Sequence, residues 1–187
     1  MLQTALHFSH TLLKEVIQEG DSVLDATMGN GNDTAFLADL VGESGRVYAF
    51  DIQEQALINT EKKLTELSLR KQTTLFHQGH ETIETVISKE TEITAAIFNL
   101  GYLPKSNKQI ITKPATTKQA LDALLSRLKA KGRIILVVYY GHVGGESELA
   151  LVRDYCQALL QEEYNVLTYQ FINQKNNPPI LFCIEKK

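Results

Sequence analysis

The residues best suited to chemistry gather in one stretch, Leu24-Asp25-Ala26-Thr27-Met28-Gly29-Asn30-Gly31-Asn32-Asp33-Thr34. A short apolar run precedes it and an amphipathic run follows, so a strand, a Gly-x-Gly turn and a helix N-terminus succeed one another. That order presents backbone N–H groups and the positive end of a helix dipole to a ligand. Gly29 and Gly31 let the backbone turn tightly and come close to it. The next predicted strand ends in Asp51, 20 residues after Gly31. A carboxylate there can accept both hydroxyl hydrogens of a ribose. Two nucleoside ligands meet this description. A dinucleotide fingerprint carries a third glycine three positions after the second, where this chain has Thr34. Asp25 and Asp33, which flank the loop, are poor neighbours for a pyrophosphate. They suit a ligand bearing an amino group and a sulfonium, so the residues favour S-adenosylmethionine over NAD.

The elements that must position this loop alternate along the chain. Ser9 is a plausible N-cap for a helix reaching 19, with Leu12, Leu13, Val16 and Ile17 on one face and Gly20 as its stop. Strands are predicted at 23–26, 46–51, 73–76, 94–99 and 133–140. Helices at 33–41, 53–67, 81–88, from Pro114 to Gly132, and 146–161 separate or follow them. The segments 165–171 and 180–185 read as two more strands. Only 172–179 lie between them, too few residues for a crossover helix, so these two form an antiparallel hairpin. The pattern predicts an α/β protein with a mostly parallel seven-stranded sheet ending in a hairpin, built as a single domain over 1–187.

Length and composition agree. A chain of 187 residues with 43% hydrophobic and 22% charged residues is ordinary for one globular domain. Two cysteines, Cys156 and Cys183, are too few for a disulfide scaffold and suit a reducing cytoplasm. No apolar run has membrane-spanning length, and the first 14 residues do not read as a signal peptide. The charge is unevenly placed. Residues 1–100 carry a net −8, residues 101–133 a net +7, and residues 134–187 a net −2. The basic block, from Lys105 to Arg133, has the charge for a local phosphate-contacting surface and the overall −3 excludes a general nucleic-acid coat protein. Of the five histidines only His7 and His10 are closely spaced, and no Cys or carboxylate pattern completes a site, so no metal is expected. His10 is placed to cover the ligand from the first helix.

In these motifs the chain resembles the class I, Rossmann-like, S-adenosylmethionine-dependent methyltransferases over nearly its whole length. The narrower combination is Asp25 to Thr34, then Phe98-Asn99-Leu100-Gly101-Tyr102-Leu103-Pro104, then Tyr139-Tyr140-Gly141-His142 with Gly144-Gly145, and a late Asn177-Pro178-Pro179. It is similar to one bacterial family catalogued as rRNA methylases and now assigned as tRNA 5-(aminomethyl)-2-thiouridine methyltransferases. The resemblance implies that Asp25, Thr27, Gly29, Asn30, Gly31, Asn32, Asp33 and Thr34 hold the methionine end of the cofactor and Asp51 the ribose. Ile52 and Gln53 would border the adenine, with Gln78, Gly79 and His80 after the third strand. His80 stands where the wider class often has an acid.

Related amino-methyltransferases carry Asn/Asp-Pro-Pro-Tyr/Phe after the fourth strand. Asn99 and Tyr102 match its ends, and Leu100 and Gly101 replace the prolines. By that resemblance Asn99 and Tyr102 are the catalytic residues. The amide oxygen and a following backbone carbonyl would accept N–H bonds from the substrate amine, and the aromatic ring would pack on the base. A neutral acceptor orients an amine without stabilising its ammonium form as a carboxylate would. The substrate implied is the aminomethyl group of a modified wobble uridine in a tRNA anticodon stem-loop, with S-adenosylhomocysteine as the other product. Lys105 and Lys108, with Lys113, would meet stem phosphates, and Tyr139, Tyr140 and His142 would border the flipped base. Arg127, Lys129, Lys131 and Arg133 are expected near the opposite edge as solvated surface. A homodimer would give so small a domain more surface for gripping tRNA.

Overall fold

The computed structural model describes residues 1–101 and 112–187. Seven strands make one sheet: β1 (Ser22–Asp25), β2 (Arg46–Phe50), β3 (Thr73–Phe76), β4 (Ile93–Leu100), β5 (Leu128–Val138), β6 (Tyr164–Tyr169) and β7 (Ile180–Lys186). Their order is β3-β2-β1-β4-β5-β7-β6. The first five pair in parallel. β7 runs antiparallel to both β5 and β6, as the short connection between the last two strands requires.

The central strand β4 is buried at every position except Asn99, as expected of a parallel strand covered on both faces. On one face Leu24, Ala96, Phe98, Leu136 and Phe182 pack with α4 (Ile83–Val86), α5 (Pro114–Arg127) and α6 (Gly145–Ala158). On the other, Val23, Val47, Ala95, Ile97 and Ile135 pack with α1 (Ala5–Lys14), α2 (Asn32–Val41) and Leu64 of α3 (Glu54–Glu66). Strand order reverses at β1, which lies between β2 and β4. The crevice at the carboxyl ends of β1 and β4 is therefore the topological switch point, where open α/β sheets bind ligands. Among the described residues no helix is long and apolar enough to cross a membrane.

Three expectations need correction. Thr4, not Ser9, caps the first helix, accepting the His7 N–H at 3.3 Å. Ser9 is buried inside the helix and donates to the Leu6 carbonyl at 2.6 Å, and the helix ends at Lys14, well before Gly20. The fifth helix stops at Arg127 instead of Gly132, and Leu128 already pairs with Ile93 as the first residue of β5. Finally, Arg127 and Arg133 are not solvated surface. Arg127 is 4% exposed. Its guanidinium donates to Glu84 at 2.7 Å and to the Ala123, Ile87 and Ser88 carbonyls. Arg133 joins Glu15 at 2.6 Å, Glu185 at 2.8 Å and the Leu12 carbonyl at 2.8 Å. Both cations tie elements together.

Candidate active site

The loop after β1 is held from every side. Asp25 is fully buried. One of its oxygens accepts the Thr27 N–H at 3.1 Å and the other the Thr34 hydroxyl at 2.6 Å, so it shapes the loop from behind. Burial pushes its pKa up to about 7, helped by the charges of Asp33 and Asp51. Three carboxylates around one loop suit a positively charged ligand and disfavour a pyrophosphate. Asp51, at the end of β2, accepts the Gly29 N–H on one oxygen and the Gln53 N–H on the other, both at 3.0 Å. Each carboxylate oxygen keeps a second lone pair, and the residue is partly exposed.

Gly31 serves the protein itself. Its φ is +73°, and a Cβ there would lie 2.9 Å from Thr60 Oγ1 and 3.0 Å from Thr60 Cα. The glycine lets α3 come up against the loop. Asn30 and Asn32 also turn that way, bonded to Asn59 (2.9 Å) and to Lys63. Their side chains join the loop to α3, which leaves backbone and carboxylates to meet a ligand.

On the adenine side expected from the sequence, Ile52 is 55% exposed beside Asp51, and Gln53 is partly exposed. Gln78 and Gly79 follow β3. His80 lies beneath the loop, buried, its Nδ1 at 3.1 Å from the Ala26 carbonyl and its ring edge-on to Phe98. Burial lowers its pKa, so it is neutral. The carbonyl can only accept, which puts the proton on Nδ1.

Across the switch point stands Asn99. Its backbone N–H donates to Thr27 Oγ1 at 2.8 Å, and its Nδ2 donates to Asp33 Oδ2 at 2.6 Å. The other Asp33 oxygen lies 2.7 Å from His10 Nε2, and the His10 ring stacks on Phe36. His10 thus reaches the site through Asp33. Asp33 consequently links α1, α2 and β4. A carboxylate is an acceptor only, so this bond directs the Asn99 oxygen away from Asp33, available to an N–H donor.

The backbone after Asn99 is otherwise engaged. Leu100 is fully buried, and its carbonyl accepts the Tyr139 N–H at 2.9 Å. The Gly101 carbonyl accepts the Thr112 N–H at 3.2 Å. Thr112 Oγ1 in turn receives the Gly101 N–H at 3.1 Å and donates to Glu148. Glu148 is buried, also takes the Thr117 hydroxyl at 2.8 Å, and has its pKa raised by burial. No motif in the sequence pointed to it. Of the substrate residues expected, Tyr102, Lys105 and Lys108 lie outside the described residues.

The two tyrosines part company. Tyr139 packs beside Gly101, where an added Cβ would be 3.1 Å from its own. Its contacts with Leu100 and Gly101 set it at the Asn99 crevice, and burial and the Asp33 charge raise its pKa. Tyr140 turns to the opposite side, against the core that holds α6. His142 lies on the crevice side near Gly101, with Nδ1 at 3.0 Å from the Val143 carbonyl. Among the described residues no group of three His, Cys, Asp or Glu could hold a metal ion.

A Gly-x-Gly loop after β1, a carboxylate after β2, and β7 inserted antiparallel between β5 and β6 define a Rossmann-like methyltransferase. Residues 47–185 match the family described as "Putative rRNA methylase", and the chain belongs to that family. A curated relative from Arabidopsis thaliana, a chloroplastic tRNA (mnm(5)s(2)U34)-methyltransferase, is 37% identical over 191 residues, covering 98% of this chain and 70% of that one. Among solved structures, a "putative rRNA-methylase" from Clostridium thermocellum superposes with a TM-score of 0.97 at 46% identity, over 100% of both chains. A "putative methyltransferase" from Streptococcus mutans, solved with S-adenosylhomocysteine, gives 0.91 at 44% identity, again over 100% of both.

Proposed function

We propose that this chain transfers a methyl group from S-adenosylmethionine to the primary amine of 5-aminomethyl(-2-thio)uridine at the tRNA wobble position, giving the 5-methylaminomethyl form. The observation that carries this reading is the Asp33–Asn99 bond, which presents a neutral amide oxygen at the switch point. An amine must be uncharged to attack. A neutral acceptor can hold one N–H and direct the lone pair without favouring the ammonium form as a carboxylate would. The cofactor, when bound, supplies an electrophilic methyl on a positively charged sulfur that departs as a neutral thioether. Asp33 and the loop backbone from Thr27 to Thr34 face its charged end, with Asp25 shaping that loop from behind. Asp51 accepts the ribose hydroxyls, and Ile52, Gln53, Gln78, Gly79 and His80 form the adenine side.

Tyr139 and His142 border the substrate base, and Tyr102 completes the Asn99 motif. Lys105 and Lys108 supply phosphate contacts to the anticodon stem-loop. The activity of the Arabidopsis relative supports this choice of substrate. We read the chain as one cytoplasmic domain acting as a homodimer. The edge strand β6, with Val166 and Leu167 about 40% exposed, is the surface a second copy would cover.

The test is mass spectrometry of nucleosides from tRNA that has accumulated the aminomethyl uridine, incubated with the protein and S-adenosylmethionine. Conversion to the methylaminomethyl form is expected. An unmodified amine, with cofactor binding intact, would overturn the substrate and turn the search to rRNA or small amines.

A further inference from the structure

Beyond Tyr140, on the other side of the 139–144 loop from Gly101, lies an open cleft of about 330 Å³. Its walls include Tyr140, Arg153 of α6, and Phe171, Gln174, Asn177 and Pro178 from the connection between β6 and β7. The Asn177-Pro178 pair belongs to a motif that has no part in the cofactor loop. Asn176 and Asn177 both adopt left-handed backbone, with φ of +66° and +49°. That shape carries the connection over Gly141, where an added Cβ would meet Asn177 Cβ at 3.5 Å.

Resting on the RNA substrate proposed above, we infer that this cleft is a subsite for a nucleotide flanking the methylated one. Position is the first argument. Tyr139 borders the Asn99 crevice and Tyr140, the next residue, lines the cleft, so one thickness of loop separates the two. An RNA strand whose target base enters the crevice has its neighbouring nucleotide within reach of the cleft.

Chemistry is the second argument. Arg153 is exposed and has no hydrogen bond or ion pair among the described residues. An unengaged guanidinium suits a phosphate or a base edge. Tyr140 and Phe171 offer aromatic faces, and the amides of Gln174 and Asn177 offer both donors and acceptors. Stacking faces, a cation and side-chain amides are how single-stranded RNA is held. Arg153 lies 52 residues beyond Gly101 in sequence and outside the basic block, and the fold brings it to the same edge.

The experiment compares wild type, Arg153→Ala and Arg153→Glu in steady-state methylation of an anticodon stem-loop and of the free aminomethyl nucleoside. Direct binding of the stem-loop is followed by fluorescence anisotropy across a salt series. Arg153 is exposed, and thermal melts confirm that the variants fold. Arg153→Glu should raise KM for the stem-loop about tenfold with kcat and S-adenosylhomocysteine affinity unchanged. Arg153→Ala should reduce the salt slope of RNA binding by about one. Neither should change kinetics on the free nucleoside, which has no flanking nucleotide. If wild type methylates the stem-loop and both variants match it in KM and salt slope, the subsite is overturned while the function stands. If wild type leaves the stem-loop unmethylated, the function fails, and anisotropy still decides the subsite. Weaker binding by Arg153→Glu would support it and equal binding would overturn it.

Discussion

Asn99 Nδ2 lies 2.6 Å from Asp33 Oδ2, and this one bond settles which end of the amide faces the crevice. Asp33 is itself fixed by His10 at 2.7 Å on its other oxygen. The orientation of the Asn99 amide is therefore set by three elements at once, which is the preorganisation that the proposed alignment-driven methyl transfer needs. Asn99→Ala should lower single-turnover methylation about 100-fold and leave S-adenosylhomocysteine affinity within about threefold by calorimetry. Asn99→Asp should also lose activity, because it sets a second carboxylate against Asp33. Unchanged turnover in Asn99→Ala would remove the amide from the mechanism.

Asp51 answers to a different measurement. It holds Gly29 and Gln53 by their N–H groups, and each oxygen keeps a lone pair for the proposed ribose contact. Asp51→Ala should weaken S-adenosylhomocysteine binding about 10- to 100-fold, the worth of hydrogen bonds to a charged group. Asp51→Asn should fall between, since its one oxygen can still accept. Calorimetric titration reads both, and an unchanged Kd would exclude the ribose assignment.

Asp25 gives a pH signature. Its folded pKa is about 7 against an ordinary 3.8. Unfolded chains release the proton near pH 4, whereas the native state keeps it until about pH 7. Stability from this residue is therefore full below pH 4, falls as the pH rises through that window, and stays reduced above it. Asp25→Asn removes the titration. The melting temperature of the variant relative to wild type should rise by several degrees between pH 5 and pH 8. A difference independent of pH would mean that Asp25 is ionised throughout.

Arg127 separates architecture from RNA binding within the basic block. Its removal strips partners from Glu84 and from the Ala123, Ile87 and Ser88 carbonyls. Arg127→Ala should cost about 2–3 kcal/mol, a melting shift of about 4–12 °C, with RNA affinity unchanged. Lys129→Ala, at a side chain 48% exposed, should shift the melting temperature by less than 2 °C. Calorimetric melts read the difference between the two cations, and anisotropy should show RNA affinity unchanged in both, since both lie away from the crevice.

The succession of strands and helices, the glycine turn after β1 and the closing hairpin were legible because they follow local rules: apolar runs, glycine turns, and a final connection too short to cross over. The order of the strands in the sheet was not. Missed features depend on contacts between distant residues. Leu121, Leu124, Leu125 and Leu128 keep helical spacing, and nothing local shows that Leu128 will leave the helix to pair with Ile93. The burial of Arg127 depends on Glu84, 43 residues away, and that of Glu148 on Thr117, 31 away. Tyr139 and Tyr140 were both expected at the base, whereas Tyr140 packs on the core and Tyr139 lies beside Gly101, a difference set by how β4 and β5 align. Gly31 was read as a point of ligand approach, whereas its immediate partner is Thr60 of α3.

The closure at Gly101 and Thr112 has a reach of its own. The Gly101 carbonyl accepts the Thr112 N–H, the Thr112 hydroxyl accepts the Gly101 N–H, and Glu148 of α6 holds both Thr112 and Thr117 of α5. The carboxyl end of β4, the start of α5 and the first turn of α6 therefore behave as one latch with a single buried carboxyl as its pin. A disturbance at Glu148 is felt two residues from Asn99, although Glu148 itself lies 49 residues further along the chain.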